Sequence, residues 1–279
     1  MTTLALTGAT GTIGGLAARH LAEAGHEARL LVRDPSRAPD LGFSLWECAY
    51  DQGAALREAL AGVDVLLLVS AHESDHRVED HRTVVEAAAD SGVKHVVYTS
   101  FVGAGGDSTF TLGRDHGATE EIIRDAGLDF TFLRDNFYSE IFPHFADENG
   151  VIRGPAGQGR VAAVSQRDVA EVAAAVLVDP GSHLGAVHDL TGPQAFTLAE
   201  AAQTLSQVLG STVTFHDETE EEAHASRAHF GAPDWQVEAW VSTYTAIRDG
   251  ELEGVSGAVE AVLGRPARSL EDALRAART

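Results

Sequence analysis

The stretch TGATGTIGG, residues 7–15, follows a short apolar run and opens a helical pattern. Its glycines Gly8, Gly11 and Gly14 have the spacing G-x-x-G-x-x-G. Between a strand and a helix, such glycines make a tight turn and let the backbone approach a pyrophosphate at the helix N-terminus. A glycine turn without a ligand is the alternative, but the strand before it and the helix after it favour a dinucleotide site. The residues of this turn predicted to bind the cofactor are Gly8, Thr10, Gly11, Thr12, Ile13 and Gly14.

Strand-like apolar runs and helical patterns alternate through the first half of the chain. The runs that predict strands are LALTG, EARLLVRD, FSLWECAY, VDVLLLVS, KHVVYTSFVG and DFTFLRDN. Such alternation is typical of right-handed βαβ units and of a parallel sheet that helices cover on both faces. The predicted fold class is therefore α/β, a Rossmann-type doubly wound parallel sheet with a smaller C-terminal α/β lobe.

The alternation loosens from about Phe137, which sets the predicted domain boundaries. The dinucleotide-binding domain is expected over residues 1–135 with returning segments at about 160–190. The smaller substrate lobe is expected over residues 136–159 and 191–279. Helix starts are predicted at Asp168, at the capping box Thr197-x-x-Glu200 and at Ser269.

Charge and residue usage exclude several functions. Acidic residues number 42 against 20 basic ones, and a net charge of −22 disfavours binding to nucleic acid or to an anionic membrane surface. Lys94 is the only lysine, and the residue four before it is Asp90, so a Tyr-x-x-x-Lys pair is impossible. Cys48 is the only cysteine, so no intrachain disulfide can form. With no signal peptide and no apolar run near the ~20 residues of a membrane span, we expect a cytoplasmic protein.

The end of the second predicted strand, LLVRDPSRA, bears on the choice of cofactor. An acidic residue there suits the ribose hydroxyl of NAD, whereas an arginine suits the 2′-phosphate of NADP. Arg33 and Arg37 favour NADP(H), while the adjacent Asp34 leaves NAD open. The ends of the fourth and fifth strands add the predicted cofactor-binding residues Ser70, Ala71, His72, Ser100 and Phe101.

Four blocks occur in the order typical of a known family: TGATGTIG, VRDPSRA, HRTVVEAAADSGVKHVVYTS and DHGATEEIIRDAGLDFTFLRDNFYSE. From about Thr2 to Gly210 the chain resembles the NmrA-like branch of the atypical short-chain dehydrogenases/reductases, and most closely its NADPH-dependent quinone oxidoreductases of type 2. The resemblance implies reduction of quinones by NADPH, or redox sensing. Members often carry an aspartate that contacts adenine; here Ala49 holds that place, with Asp51 two residues on.

Candidate catalytic and substrate-binding residues follow the fifth and sixth strands. The resemblance implies that His116 orients the nicotinamide or the substrate, or donates a proton; an exposed helix-cap histidine is the alternative. Asn136, Phe137 and Tyr138 follow the sixth strand, at the edge where doubly wound sheets bind ligands. We expect them to bind a flat substrate, with Tyr138 also a catalytic candidate; packing is the alternative. Quinone reduction mainly requires that two rings are held together.

The motif H-E-x-x-H also occurs, as His72, Glu73 and His76. On a helix it binds zinc, with the glutamate as general base. Here His72 and Glu73 fall after the predicted fourth strand, before a helix expected near Ser74 or Asp75. We therefore expect no metal site, and His81 is expected to pack against the core.

Three functions remain open at this stage. The first is an NADPH-dependent oxidoreductase that acts on quinones or similar flat acceptors, as a monomer or a homodimer. The second is a non-catalytic NADP-sensing regulator that acts through a protein partner. The third is an isomerase or reductase of a specialised natural product.

Overall fold

The computed structural model describes residues 2–278. The strands are β1 (Leu4–Leu6), β2 (Ala28–Val32), β3 (Ser44–Glu47), β4 (Val65–Leu68), β5 (His95–Phe101), β6 (Asp129–Asp135), β7 (Val151–Gly154), β8 (Arg160–Val161), β9 (Val187–Leu190), β10 (Phe196–Thr197) and β11 (Thr214–Asp217). The α-helices are α1 (Thr12–Glu23), α2 (Gly53–Leu60), α3 (Arg77–Asp90), α4 (Thr111–Asp125), α5 (Gln166–Val178), α6 (Leu198–Leu209), α7 (Glu220–Arg227), α8 (Asp234–Arg248), α9 (Ala258–Leu263) and α10 (Leu270–Ala276). Short 3₁₀ helices span Pro35–Arg37, Ser139–Phe145, Pro180–His183 and Ala228–Phe230.

A seven-stranded sheet has the order β3-β2-β1-β4-β5-β6-β9. Strand β1 pairs in parallel with both β2 and β4, β2 with β3, and β4 with β5. The strand order reverses at β1, which is the arrangement of a doubly wound sheet and places ligands at the carboxyl ends of the strands beside that point. The predicted fold class is confirmed.

The inner strands are apolar because helices cover them. All four residues of β4 and all seven of β5 are buried. Helix α3 places His81, Val84, Val85 and Ala88 on its buried face. The edge strand β3, by contrast, is exposed at all of its residues.

The chain forms two compact units. The first contains the described residues up to Phe101, with Asp115–Arg134 and Arg167–His188. The second contains Val102–Arg114, Asp135–Gln166 and the described residues from Asp189 onward. Residues 102–114, which are predicted from the sequence to belong to the dinucleotide-binding domain, thus lie in the second unit.

Within the second unit, β7 pairs in parallel with β11 and β8 pairs antiparallel with β10. The predicted capping box at Thr197 and the predicted N-cap Ser269 are both present. The predicted start at Asp168 is wrong, because α5 begins at Gln166 and Asp168 lies in its first turn.

Candidate dinucleotide site

The glycine turn joins β1 to α1. Gly8 has a φ of +66°, and a Cβ there would lie 2.8 Å from Cβ of Val69. At Gly14 a Cβ would lie 2.5 Å from the carbonyl oxygen of Gly8, because α1 begins almost in contact with the turn. Each of these positions therefore requires glycine, one for its backbone angle and both for space.

A cavity of about 390 Å³ opens beside this turn. Seven of the predicted cofactor-binding residues line it: Gly8, Thr10, Gly11, Arg33, Ser70, Ala71 and His72. They come from the carboxyl ends of β1, β2 and β4, where a doubly wound sheet binds its ligand. The other lining residues are Leu31, Val32, Cys48, Ala49, Tyr50, Asp51, Val69, His76 and Asp80.

The other predicted cofactor-binding residues take different places in the described structure. Ile13 and Gly14 are buried in the first turns of α1, and the exposed Thr12 begins that helix. Arg37 is exposed in the 3₁₀ helix after β2. Ser100 is fully buried, and its hydroxyl donates to Oε1 of Glu120 over 2.6 Å. Phe101 is buried, with its ring centroid 6.0 Å from that of His116.

Arg33 and Asp34 have different structural roles. Arg33 lines the cavity. Oδ1 of Asp34 accepts hydrogen bonds from the backbone N–H (3.0 Å) and hydroxyl (2.6 Å) of Ser36, and so caps the 3₁₀ helix. These bonds hold the pKa of Asp34 below its ordinary value, with a smaller contribution from Arg37. The acidic residue thus has a local structural role, and of the two residues only the arginine lines the cavity.

Tyr50 joins the ends of β1, β3 and β4 and is not among the residues predicted from the sequence. Its hydroxyl lies 2.6 Å from both Oγ1 of Thr7 and the carbonyl oxygen of Val69. Oγ1 of Thr7 in turn accepts from the N–H of Val69 over 2.9 Å. Burial raises the pKa of Tyr50, so its hydroxyl keeps its proton. Its position just after a strand end was the available signal.

His81 holds the loop after β4. Its Nε2 accepts from the N–H of Ala71 over 2.8 Å, so its proton is on Nδ1, which donates to Oγ1 of Thr119 over 2.8 Å. Thr119 donates onward to the carbonyl oxygen of Asp115. Burial lowers the pKa of His81 to about 3, with a smaller contribution from the charge of Arg77. The predicted packing histidine is therefore a neutral hydrogen-bonding link behind the cavity.

His116 is buried in the second turn of α4, so the exposed-cap interpretation is wrong. The helix begins five residues earlier, at Thr111, and continues through Gly113. Nδ1 of His116 lies 3.0 Å from the hydroxyl of Tyr98, and Nε2 lies 3.0 Å from Nη2 of Arg77. Burial, and then the charge of Arg77, lower its pKa well below the ordinary value. A neutral imidazole with both nitrogens engaged suits positioning better than proton donation.

The three residues of the H-E-x-x-H motif all lie before the helix. His76 precedes the first residue of α3, and His72 and Glu73 are in the loop. A hydrogen bond with Asp75, 3.0 Å from His76 Nδ1, and the charge of Asp80 raise the pKa of His76. Among residues 2–278, no three His, Cys, Asp or Glu side chains are grouped to hold a metal ion.

Asn136, Phe137 and Tyr138 lie in the second unit, and their side chains have partners there. The amide of Asn136 donates to the carbonyl of Leu252 over 3.0 Å and accepts from the N–H of Phe137 over 2.8 Å. Phe137 packs edge-to-face on Phe110, with centroids 5.2 Å apart. Tyr138, which is half-buried, donates to Oδ2 of Asp135.

The strand order, the glycine turn and the cavity beside it define a Rossmann-type dinucleotide-binding protein. The profile of the NAD(P)H-binding family matches residues 8–180. Quinone oxidoreductase 2 of Escherichia coli strain K12 is 33% identical and is aligned over 97% of both chains. The NAD(P)H azoreductase of Xenophilus azovorans is also 33% identical, over 97% of this chain and 96% of its own.

A solved structure gives the same result. The Escherichia coli NADPH-dependent quinone oxidoreductase complexed with NADPH superposes with a TM-score of 0.90 at 32% identity, covering 99% of this chain and 100% of that one. The chain described here belongs to the NAD(P)H-binding family. The resemblance predicted from the four sequence blocks is confirmed.

Proposed function

We propose that the protein is an oxidoreductase that transfers hydride from NADPH to a quinone or a similar flat acceptor. The observation that carries this proposal is the cavity formed by the glycine turn, Arg33 and the loop Ser70–His72. Full-length relatives named as a quinone oxidoreductase and an azoreductase support an enzyme rather than a sensor. Bound NADPH would supply a hydride, and the acceptor would gain two electrons and one further proton.

The residues of this chain fit that reaction because it asks little acid–base chemistry of the protein. Lys94, the only lysine, is exposed at the start of β5 and pairs with Oδ1 of Asp64 at 2.7 Å. It precedes the amino end of β5, whereas the cavity residues follow the carboxyl ends of neighbouring parallel strands, so it cannot serve a reacting group there. A hydroquinone anion can take its proton from water, and the protein mainly orients the two rings.

We propose His116 as a positioning residue of this site and keep Tyr138, Asn136 and Phe137 as candidates for the acceptor side. His116 is neutral and hydrogen-bonded at both nitrogens, which supports an orienting role. The hydroxyl of Tyr138 donates to Asp135, so its contribution would be to shape rather than to protonate the acceptor.

The preference for NADPH over NADH is assigned to Arg33. A guanidinium binds a phosphate through charge-assisted hydrogen bonds, which NADH cannot use. Arg33→Ala should weaken NADPH binding about tenfold and leave NADH binding unchanged. Arg19→Ala, an exposed arginine on α1, is the matched control and should change neither affinity.

The test of the function is NADPH oxidation with menadione as acceptor, with and without EDTA, beside a binding titration of NADPH. We expect NADPH-dependent turnover that EDTA does not affect. Tight NADPH binding without turnover on quinones or azo dyes would replace the enzyme with the sensor. Loss of turnover in EDTA would require a metal and would overturn the assignment.

Two properties complete the proposal. No helix within residues 2–278 is long and apolar enough to cross a membrane. We propose a cytoplasmic location, to be checked by cell fractionation, and a homodimer, to be checked by sedimentation.

A further inference from the structure

Arg77 is a buried cation close to the cavity. It is the first residue of α3 and is only 6% exposed. Its carboxylate partner is Asp115, whose Oδ2 lies a long 3.9 Å from Nη1. Its Nε is buried without a hydrogen-bond partner among the described residues. A guanidinium removed from water normally has close anionic partners, so its position here calls for a function.

His116 forms a hydrogen bond with one side of this guanidinium. Arginine can only donate, so Nη2 of Arg77 donates to Nε2 of His116 over 3.0 Å. The imidazole proton must then be on Nδ1, where it is shared with the hydroxyl of Tyr98. If His116 were protonated, the N–H of its Nε2 would point at the N–H of Arg77 Nη2, so this contact requires the neutral ring. His116 therefore acts as a fixed acceptor that orients Arg77.

Ser70 forms a second hydrogen bond with the guanidinium of Arg77. Nη2 of Arg77 also donates to Oγ of Ser70, and Ser70 lines the cavity. The same hydroxyl donates to the carbonyl oxygen of Ala71 over a long 3.4 Å. The hydroxyl proton is thus held only weakly within the protein. The positively charged guanidinium of Arg77, which donates to the oxygen of Ser70, also polarises the O–H bond. The Ser70 hydroxyl is therefore a stronger hydrogen-bond donor.

We propose that Arg77 is a positioning residue that makes the Ser70 hydroxyl a hydrogen-bond donor to an oxygen of the bound dinucleotide. His116 holds the guanidinium in place, so the three residues act as one unit. The inference rests on the proposed NADPH site. The recipient is an oxygen with high electron density, either of a phosphate or of the nicotinamide carboxamide.

The experiment measures dissociation constants by calorimetry for Ser70→Ala, Arg77→Met and the double variant. Two probes separate the oxygens: NADPH, and 2′-phospho-ADP-ribose, which lacks nicotinamide. Each single variant should bind NADPH about tenfold more weakly. The double variant should be no weaker than Ser70→Ala, because Arg77 acts through the same hydroxyl. Ser70→Thr, which keeps the hydroxyl, should restore most of the affinity.

If the variants bind both probes more weakly than the wild type, the recipient is a phosphate oxygen. If only NADPH binding is weakened, the recipient is the carboxamide oxygen. Arg134→Met is the control for the loss of a hydrogen-bonded arginine, since the half-buried Arg134 binds both carboxylate oxygens of Glu120 at 2.8 and 2.7 Å. It should lower the melting temperature and leave NADPH affinity unchanged.

Wild-type affinity in a folded Ser70→Ala variant would overturn the proposal, as would single-variant effects that multiply in the double variant. If Arg77→Met does not fold, the comparison of Ser70→Ala with Ser70→Thr decides. Failure of the proposed function is a separate result: wild-type protein that binds NADPH but reduces no quinone leaves these affinity measurements intact.

Discussion

The replacement of His81 by glutamine should remove a specific part of the acid sensitivity of this protein. His81 is fully buried and neutral, with its two ring nitrogens bonded to Ala71 and Thr119. Its pKa is lowered from the ordinary 6.5 to about 3. In the unfolded chain the imidazole returns to its ordinary pKa and binds a proton below pH 6.5. Unfolding therefore takes up a proton between about pH 6.5 and pH 3, and stability falls as the pH falls through that window.

The size of the effect follows from the two pKa values. Each pH unit below the unfolded pKa costs about 1.4 kcal/mol, so His81 should remove about 2 kcal/mol of unfolding free energy by pH 5. A glutamine can accept from the N–H of Ala71 and donate to Thr119 without titrating. His81→Gln should be less stable than the wild type at pH 8, and the gap should narrow by about 2 kcal/mol at pH 5.

The assay is urea unfolding followed by circular dichroism at pH 8, 6 and 5, on both proteins. Other titrating groups are common to the pair, so the difference between the two curves isolates His81. Parallel pH dependence of the two proteins would refute the reasoning, as would an NMR titration in which His81 in the folded protein protonates near pH 6.

Three further substitutions test other parts of the structure. Gly14→Ala places a Cβ 2.5 Å from the carbonyl of Gly8 and should abolish NADPH binding, measured by titration, in a chain that still shows helical circular dichroism. Glu120→Gln removes the buried carboxylate that binds the half-buried guanidinium of Arg134 and should cost about 1.5–3 kcal/mol in urea unfolding; a loss smaller than about 1 kcal/mol would show that water compensates. Thr197→Ala removes the capping box of α6 and should cost about 1 kcal/mol without changing NADPH affinity.

The sequence predicted those parts of the fold and site that the backbone determines. Apolar runs that must be buried on both faces identified β4 and β5, and the order of strands and helices predicted a doubly wound sheet. Residues such as Gly8, Arg33 and Ser70 follow directly from strand ends, because parallel strands bring their carboxyl ends to the same edge.

Side-chain networks were harder to predict because they depend on which helix face meets the sheet. Arg77 lies one helical turn before His81, on the same buried face of α3, yet an arginine in a first turn reads as solvent-exposed. The sequence predicts a helix that starts at His116 after a glycine-rich loop, whereas α4 begins at Thr111 and contains the buried Gly113. The contact between Arg77 and His116 joins residues on two helices whose register no local pattern reveals.

The division of the chain into alternating segments affects how the protein can be made by the ribosome. The first unit is complete only when the ribosome has synthesised the chain up to His188. The second unit also requires the segment that starts at Asp189. At about 5–20 residues per second, the first unit remains incomplete for roughly 10–40 s of synthesis. For the part of that time that follows the synthesis of Phe101, the apolar strands β4 and β5 lie on a nascent chain that lacks part of their unit. Neither unit can be obtained by a single truncation, so a fragment cut after Phe101 is expected to depend on chaperones or to aggregate rather than to fold as an isolated nucleotide-binding domain.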